Sequence, residues 1–411
     1  MTNPGQRWRF VYTLALLWLA GAGLRFTVLA IPPVIPPMQH ALRLSQTDIG
    51  VVSSLPLLLF AVAAIPGAAL IARFGALPTL IGGLLITALA GAARAAVPGA
   101  WLLFATTFVM GVGVAFMQPA LPPLVRDWAP HRIGLATAVY SNGMLSSEAL
   151  SSALTIPFVL PLVGSSWRGV LVFWSAPLLL AAGLLALRGW RRRPRGDRSV
   201  ARDPVVARRW WPNWRDARIW QVGLMMGCAS GVYFGANAFL PGFLTRSGQA
   251  QWVSGALTAL NATQIPATLI LLLYAQRMAT RRVSYVATGL VMTISVIGLV
   301  TMPGAWVILW FALIGFCAAF VITVGLALPA LLVVPEDVHR FAGAVFTIAY
   351  LCAFVAPILG GWAWDVSHWS VMAFAPAGLC GLVVAGVGAC VHLRALAAAS
   401  TPSAAAGSAE A

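Results

Sequence analysis

The chain contains 411 residues, of which 60% are hydrophobic and 9% are charged, and its mean hydropathy is +0.88. This composition excludes a soluble globular protein and predicts a polytopic integral membrane protein. The formal net charge of +16 is carried entirely by arginine, because the sequence has no lysine.

Apolar runs long enough to cross a bilayer follow one another along the whole chain. A hydrocarbon core of about 30 Å requires about 20 residues per helix, and twelve runs meet this length, which predicts an all-α integral membrane protein with 12 transmembrane helices. The ninth and tenth runs are separated only by the turn sequence MPGAW. The approximate spans are residues 10–31, 47–71, 77–98, 101–125, 133–163, 168–188, 218–244, 251–275, 283–303, 304–334, 341–363 and 369–394.

The first span carries a permanent charge, Arg25, close to its middle within the sequence GLRF. Placing an arginine at the centre of a membrane helix costs about 2.5 to 3.5 kcal/mol, so Arg25 is expected to face the bundle interior. Its planar fork of donors suits a carboxylate-like or otherwise delocalised anion. The alternative is a structural ion pair within the bundle. Trp18, two turns earlier on the same face, is a candidate to line the same cavity or to stack on the guanidinium.

The third and fourth spans each contribute one polar residue of interest. Arg94 ends the third span and is expected to extend to the outer lipid headgroups. Gln118 precedes the proline-rich end of the fourth span and is a candidate substrate contact.

The fifth span contains Glu148, the only acid well inside any span. Three roles remain open for it: a coupling-proton site, an ion-pair partner of Arg25, or a purely structural polar group. Tyr140 and Asn142 on the same helix are candidates to line the cavity, with ordinary helix-helix hydrogen bonding as the alternative.

The distribution of arginine indicates how the chain lies in the membrane. With the N-terminus placed in the cytoplasm, 21 arginines fall on the cytoplasmic side, eleven of them between residues 188 and 218, and four fall on the outer side. This asymmetry predicts a multi-pass protein of the inner membrane with both termini cytoplasmic. The same asymmetry argues against a nucleic-acid partner.

The later spans supply further polar side chains that could line a cavity. These candidates are Tyr233, Asn237, Asn261, Gln264 and Tyr350. A cavity with so few polar groups and several aromatic rings favours a small or planar solute over a sugar. No grouping of residues has metal-ligand spacing, and no cofactor is predicted.

The two halves of the chain resemble each other. LPPLVRDWAPHRIGLATAVY after the fourth span parallels LPALLVVPEDVHRFAGAVFTIAY after the tenth. This repeat predicts two six-helix pseudo-symmetric halves, residues 1–188 and 218–394, joined by a basic cytoplasmic linker, 189–217, and followed by a disordered cytoplasmic tail, 395–411. A parallel repeat of this kind predicts a cavity between the halves and alternating access around it.

Several motifs resemble the major facilitator superfamily, and more closely its cyanate and 2-nitroimidazole transporter family. They include GLRFTVLAIPPVIPP in the first span, LRLSQTDIGVVSSLPLL at the second, YFGANAFLPGFLTRSG in the seventh and NATQIPATLILLLYAQR in the eighth. The resemblance implies a major facilitator fold, a signature arginine at Arg25, and a gating loop that retains Arg73 and Gly75. The chain departs from the family at Gly23, where an asparagine is usual.

These observations predict a secondary active transporter and not an enzyme, because the spans contain no catalytic carboxylate pair, histidine cluster or Walker lysine. The predicted solute is a small anion or an anion-like planar compound, and the other partners are the lipid bilayer and, as one option, a co-transported proton. The alternative is an exporter of neutral or cationic hydrophobic compounds in which Arg25 is structural. A monomer is expected, because the pathway needs no second chain.

Overall fold

The computed structural model describes residues 4–62, 64–191, 213–279, 281–302, 304–333 and 338–390, and all regular structure within them is helical. Most of the predicted linker, residues 192–212, and the whole predicted tail, 395–411, lie outside the described residues.

Within the described residues up to 191, the chain forms eleven α-helices. They are α1 (Pro4–Gly23), α2 (Phe26–Leu29), α3 (Ile35–Leu42), α4 (Gln46–Val62), α5 (Ala64–Phe74), α6 (Ala76–Ala93), α7 (Ala100–Met117), α8 (Leu121–Trp128), α9 (Ile133–Leu154), α10 (Leu160–Leu162) and α11 (Trp167–Arg191). A short 3-10 turn, Pro32–Val34, precedes α3.

Seven helices follow the linker. They are α12 (Ala217–Arg246), α13 (Val253–Ala262), α14 (Gln264–Ala279), α15 (Arg282–Thr301), α16 (Trp306–Leu332), α17 (Val338–Ser367) and α18 (Ala375–Cys390). The turn predicted at MPGAW separates α15 from α16, and Gly304 adopts a left-handed φ of 89° there.

Ten helical segments of the described chain are long and apolar enough to cross a membrane, and α4 is a shorter apolar helix. The predicted eighth span is divided into α13 and α14 at Thr263. Because Pro266 has no N–H to donate to the preceding turn, this division follows from the sequence. The count of twelve remains a prediction.

The first predicted span, residues 10–31, is broken into two helical pieces, α1 and α2, at the residue that carries its charge. Arg25 has φ −124° and ψ −26° and lies between α1 and α2. Pro32 and Pro33 have no N–H, so the carbonyls of Val28 and Leu29 cannot receive helical hydrogen bonds. The break therefore leaves backbone carbonyls that need other donors.

At the face of the bundle opposite the N-terminus, the two groups of helices pack closely. The Asp365 carboxylate at the end of α17 accepts hydrogen bonds from the Gln46 and Thr47 amides, at 2.9 and 2.8 Å, and from the Thr47 hydroxyl at 2.7 Å. A Cβ on Gly361 would lie 2.2 Å from the Gln46 carbonyl oxygen. In addition, α12 contacts α3, and α13 contacts α9.

Helices α1 and α12 pack mainly within their own groups of helices. Helix α1 packs on α9 and α11, whereas α12 packs most extensively on α17, α18 and α16. Two polar side chains in the middle of the bundle, Gln118 and Asn142, are exposed. This combination indicates a central cavity that opens toward the N-terminal face.

We predict that Asp365→Ala weakens the contact between α4 and α17, because it removes the carboxylate that accepts three hydrogen bonds from the first turn of α4. In a variant without native cysteines, a cysteine at Ser53 should react roughly fivefold faster with an impermeant maleimide supplied from the opposite face, the shift that about 1 kcal/mol of lost capping produces.

The matched control is Asp48→Ala, because the Asp48 carboxylate accepts a hydrogen bond from the Ser45 amide within the same segment. This control should leave the labelling rate unchanged. Equal rates for Asp365→Ala and the wild type would show that Asp365 does not hold this face closed.

Candidate functional site

Residues from helices α9, α12, α13 and α14 and from the break between α1 and α2 meet in one buried hydrogen-bonded group, which we call the charged cluster. Its members are Arg25, Glu148, Tyr233, Asn237, Asn261 and Gln264. The Arg25 Nε lies 3.2 Å from Glu148 Oε1, and these side chains are only 15% and 5% exposed. Gln264 Nε2 donates to Glu148 Oε2 at 2.8 Å. The cluster thus joins helices on both sides of the linker.

The asparagines of the cluster connect α9, α12 and α13. The Asn261 amide nitrogen donates to Ser152 Oγ at 2.8 Å, to Asn237 Oδ1 at 3.2 Å and to the Leu257 carbonyl at 2.7 Å. The Asn237 amide nitrogen donates to the Tyr233 carbonyl at 3.1 Å. These bonds direct Asn261 Oδ1 toward the Tyr233 hydroxyl.

The Tyr233 hydroxyl lies within hydrogen-bond distance of two acceptors. Glu148 Oε2 is 3.0 Å away and Asn261 Oδ1 is 2.5 Å away. A hydroxyl has a single hydrogen to donate. If Glu148 is ionised, Tyr233 can therefore satisfy only one of these two oxygens at a time.

Close packing of α1 on α9 brings Arg25 within reach of Glu148. A Cβ on Gly21 would lie 2.1 Å from the Tyr140 carbonyl oxygen, and one on Gly143 would lie 2.2 Å from the Trp18 carbonyl oxygen. Glycine at both positions allows the two backbones to touch. Tyr140 thus contributes its backbone to this crossing, and its side chain is half-buried.

The Arg25 guanidinium retains one free donor. Its Nη1 is buried and has no hydrogen-bond partner among the described residues. Its Cζ lies 5.8 Å from the centre of the Phe60 ring, and this contact was not among those predicted from the sequence.

Trp18 engages a different partner from the one considered for it. Its indole N–H donates to Asn142 Oδ1 at 3.1 Å, and Ser146 Oγ donates to the same oxygen at 3.2 Å. The aromatic ring recorded over the guanidinium in the described chain is that of Phe60 and not that of Trp18. Trp18 and Asn142 therefore form a separate polar pair.

Gln118 and Tyr350 form a second pair across the two groups of helices. Gln118 Nε2 donates to the Tyr350 hydroxyl at 3.4 Å. The Tyr350 ring contacts Phe60 edge to face, with 5.4 Å between ring centres. Because Phe60 also lies beside Arg25, this aromatic pair borders the charged cluster.

The predicted gating-loop residues lie in the turn between α5 and α6, away from the charged cluster. Gly75 has a φ of 89°, which allows the tight reversal. Arg73 is exposed, and its guanidinium lies 5.3 Å from the centre of the neighbouring Phe74 ring.

The expectation that Arg94 extends to lipid headgroups is wrong. Arg94 is fully buried, and its Nη2 donates to the Thr27 carbonyl oxygen at 2.7 Å. The side chain bends into the bundle because the broken first span presents an acceptor there.

Comparison with known proteins identifies the family. A model of the Major Facilitator Superfamily matches residues 17–262. The chain belongs to this superfamily. It is 31% identical over 376 residues to the 2-nitroimidazole transporter of Escherichia coli (strain K12), covering 90% of this chain and 92% of that protein. It is 23% identical to the cyanate transport protein CynX of the same organism, covering 89% of this chain and 94% of that protein.

The fold also resembles a solved structure of a bacterial homologue of the human lysosomal transporter Spinster. The TM-score is 0.70 with 16% sequence identity, over 97% of this chain and 94% of the other. Membership of the superfamily makes this chain a multi-pass membrane transporter and not an enzyme.

We predict that Arg25→Met lowers the free energy of unfolding by about 3 kcal/mol, because it leaves Glu148 buried without its cation. The double variant Arg25→Met/Glu148→Leu should lose less than Arg25→Met alone. Denaturant unfolding in detergent measures both values.

Arg218→Met is the control for this comparison. Arg218 pairs with Asp216 at 2.7 Å, but its side chain is 43% exposed, so its loss should cost at most about 1 kcal/mol. If the double variant were as unstable as the sum of its single variants, Arg25 and Glu148 would not be energetically coupled.

Proposed function

We propose that this protein is a secondary active transporter that moves a small anion or an anion-like planar solute by alternating access, with Arg25 as the primary substrate ligand. The observation that carries the proposal is the unpartnered Nη1 of Arg25 in the middle of the bundle. A buried donor without an acceptor costs about 1 to 3 kcal/mol. A solute with an acceptor oxygen or nitrogen removes that cost when it binds.

The charge of the cluster supports a solute of this kind. Arg25 and Glu148 neutralise each other, so the two side chains together carry no net charge. A bound monoanion leaves one excess negative charge, unless Glu148 takes up a proton. Anion and proton together keep the cluster neutral, which suits a site surrounded by lipid.

The size of the solute is limited by the residues around the guanidinium. Phe60 and Tyr350 supply aromatic surfaces beside Arg25, and the other contacts available are amides and hydroxyls. This environment favours a flat or small molecule with few polar atoms. The names of the two relatives point the same way: a 2-nitroimidazole is a planar nitroaromatic, and cyanate is a small anion.

The asymmetric distribution of arginine supports an inner-membrane location with both termini in the cytoplasm. In this orientation, the central cavity opens to the cytoplasm, and the contact of Asp365 with α4 closes the outer side. We expect α4 and α17 to separate in the outward-open state, with Arg73 and Gly75 in the cytoplasmic turn that helps to close the other side. The pathway lies within one chain, so we expect a monomer.

The hydrogen-bond pattern around Tyr233 supports proton uptake at Glu148. A protonated Glu148 can donate to the Tyr233 oxygen, which frees the Tyr233 hydrogen for Asn261 Oδ1. Each of the two close contacts of the Tyr233 oxygen then contains a hydrogen, whereas with Glu148 ionised only one of them does. Import of one anion against an inside-negative potential costs about 2.3 kcal/mol per 100 mV, and a proton carried with the anion removes this cost.

The first test is a thermal-shift panel on the purified protein, comparing small anions, planar nitroaromatics and planar cations, for the wild type and Arg25→Gln in parallel. We expect an anion or a nitroaromatic to raise the wild-type Tm, and we expect this shift to vanish in Arg25→Gln because the free donor is lost. Arg218→Met is the control, because it also removes one arginine but at a partly exposed site outside the charged cluster, where Arg218 pairs with Asp216.

Stabilisation by cationic or neutral compounds alone, equal in both proteins, would contradict substrate binding at Arg25. That result would favour the alternative, an exporter of neutral or cationic hydrophobic compounds with a structural Arg25.

The second test addresses the proton. Glu148→Gln keeps the size of the side chain but cannot exchange a proton, so we expect solute uptake into proteoliposomes to lose its response to an imposed pH gradient. Ser147→Ala, on the same helix, should retain the response, because the Ser147 hydroxyl donates to the Met144 carbonyl and not to the cluster. If the wild type itself showed no response, transport would not be coupled to protons through Glu148.

A further inference from the structure

Arg94 is a fully buried arginine whose hydrogen bonds are made to backbone oxygens. Its Nη2 donates to the Thr27 carbonyl at 2.7 Å, its Nε donates to the Gly91 carbonyl at 3.4 Å, and its Nη1 has no partner among the described residues. No carboxylate of the described chain forms an ion pair with it. Burying an arginine with two backbone hydrogen bonds and no counter-charge costs free energy. The stronger of these bonds, to the Thr27 carbonyl, is the contact through which Arg94 could act.

The Thr27 carbonyl belongs to the broken part of the first span. Helix α2 contains only residues 26 to 29, and no backbone N–H of the described residues donates a hydrogen bond to the Thr27 carbonyl. In the membrane interior, a free carbonyl requires a donor from another part of the protein. Arg94 supplies one from the end of α6.

The contact between α6 and α2 is also tight at the level of side chains. A Cβ on Gly91 would lie 3.1 Å from Thr27 Cγ2 and 2.8 Å from Ser175 Oγ. The short helix α2 is therefore held both by a charged donor and by a surface that leaves no room for movement.

Arg25 directly precedes α2, and Thr27 follows it by two residues. We infer that Arg94 is a positioning residue for transport: by holding the Thr27 carbonyl, it fixes α2 and thereby directs the Arg25 guanidinium toward Glu148 and the cavity. This inference deepens the proposed function, on which its ligand-binding readout rests.

The experiment compares Arg94→Met, Arg94→Lys and Arg168→Met. Arg168 lies at the same face and is exposed, with a 3.5 Å hydrogen bond to the Val97 carbonyl and its guanidinium 4.6 Å from the centre of the neighbouring Trp167 ring, so it controls for the loss of one arginine. With the stabilising compound from the thermal-shift panel as the probe, we expect Kd to rise about tenfold in Arg94→Met. Arg94→Lys should recover most of the affinity, because an ammonium can also donate to Thr27, and Arg168→Met should equal the wild type.

A second readout needs no ligand. If Arg94 acts through the position of Arg25, the loss of Tm caused by Arg94→Met should be smaller in an Arg25→Gln/Glu148→Gln background, because the pair it positions is absent there. Arg94→Lys is used in the same cycle if Arg94→Met fails to fold.

The two readouts separate the inference from the proposed function. Additive Tm losses, or a wild-type Kd in a destabilised Arg94→Met protein, would overturn the positioning role and leave Arg94 as a purely structural residue. Coupled Tm losses together with ligand binding that ignores Arg25→Gln would support the positioning role while contradicting Arg25 as the substrate ligand.

Discussion

The ion pair between Arg25 and Glu148 is the interaction on which the centre of this transporter depends. An arginine in the membrane interior requires a counter-charge or water, and Glu148 supplies the counter-charge from α9. Glu148 in turn accepts hydrogen bonds from Tyr233 and Gln264 beyond the linker. One carboxylate therefore connects the charge on the first span to both groups of helices, so any change in its partners affects the whole bundle.

The broken first span gives this pair its geometry. Two prolines end α2 early, and the glycines at the α1–α9 crossing allow the backbones to touch. An earlier break, between α1 and α2, places Arg25 at a helix interruption, where its side chain can reach across to α9. The short helix α2 also leaves the Thr27 carbonyl for an outside donor, and the buried Arg94 supplies that donor. Where the first span lacks helical hydrogen bonds, polar side chains from neighbouring helices supply hydrogen bonds to it, as expected where discontinuous helices line a transport site.

The sequence predicts the class of fold, the interior position of Arg25 and the single interior acid, because charges stand out against apolar runs. It does not predict that the Arg94 side chain is buried, because an arginine at the end of a span extends to the lipid headgroups unless the tertiary fold offers a buried acceptor. Asp365 had no distinguishing signal, because its partners at Gln46 and Thr47 lie more than 300 residues earlier. The individual candidates Tyr233, Asn237 and Asn261 were predicted separately, and only the packing of α9, α12 and α13 shows that they form one network.

The most direct test of the central claim is a structure of the protein with its stabilising compound bound, determined at two pH values on either side of the optimum for transport. The account predicts density for the compound within hydrogen-bond distance of Arg25 Nη1, and a lengthened separation between Arg25 and Glu148 at the lower pH. Density at a distant site, with the ion pair unchanged at both pH values, would contradict it.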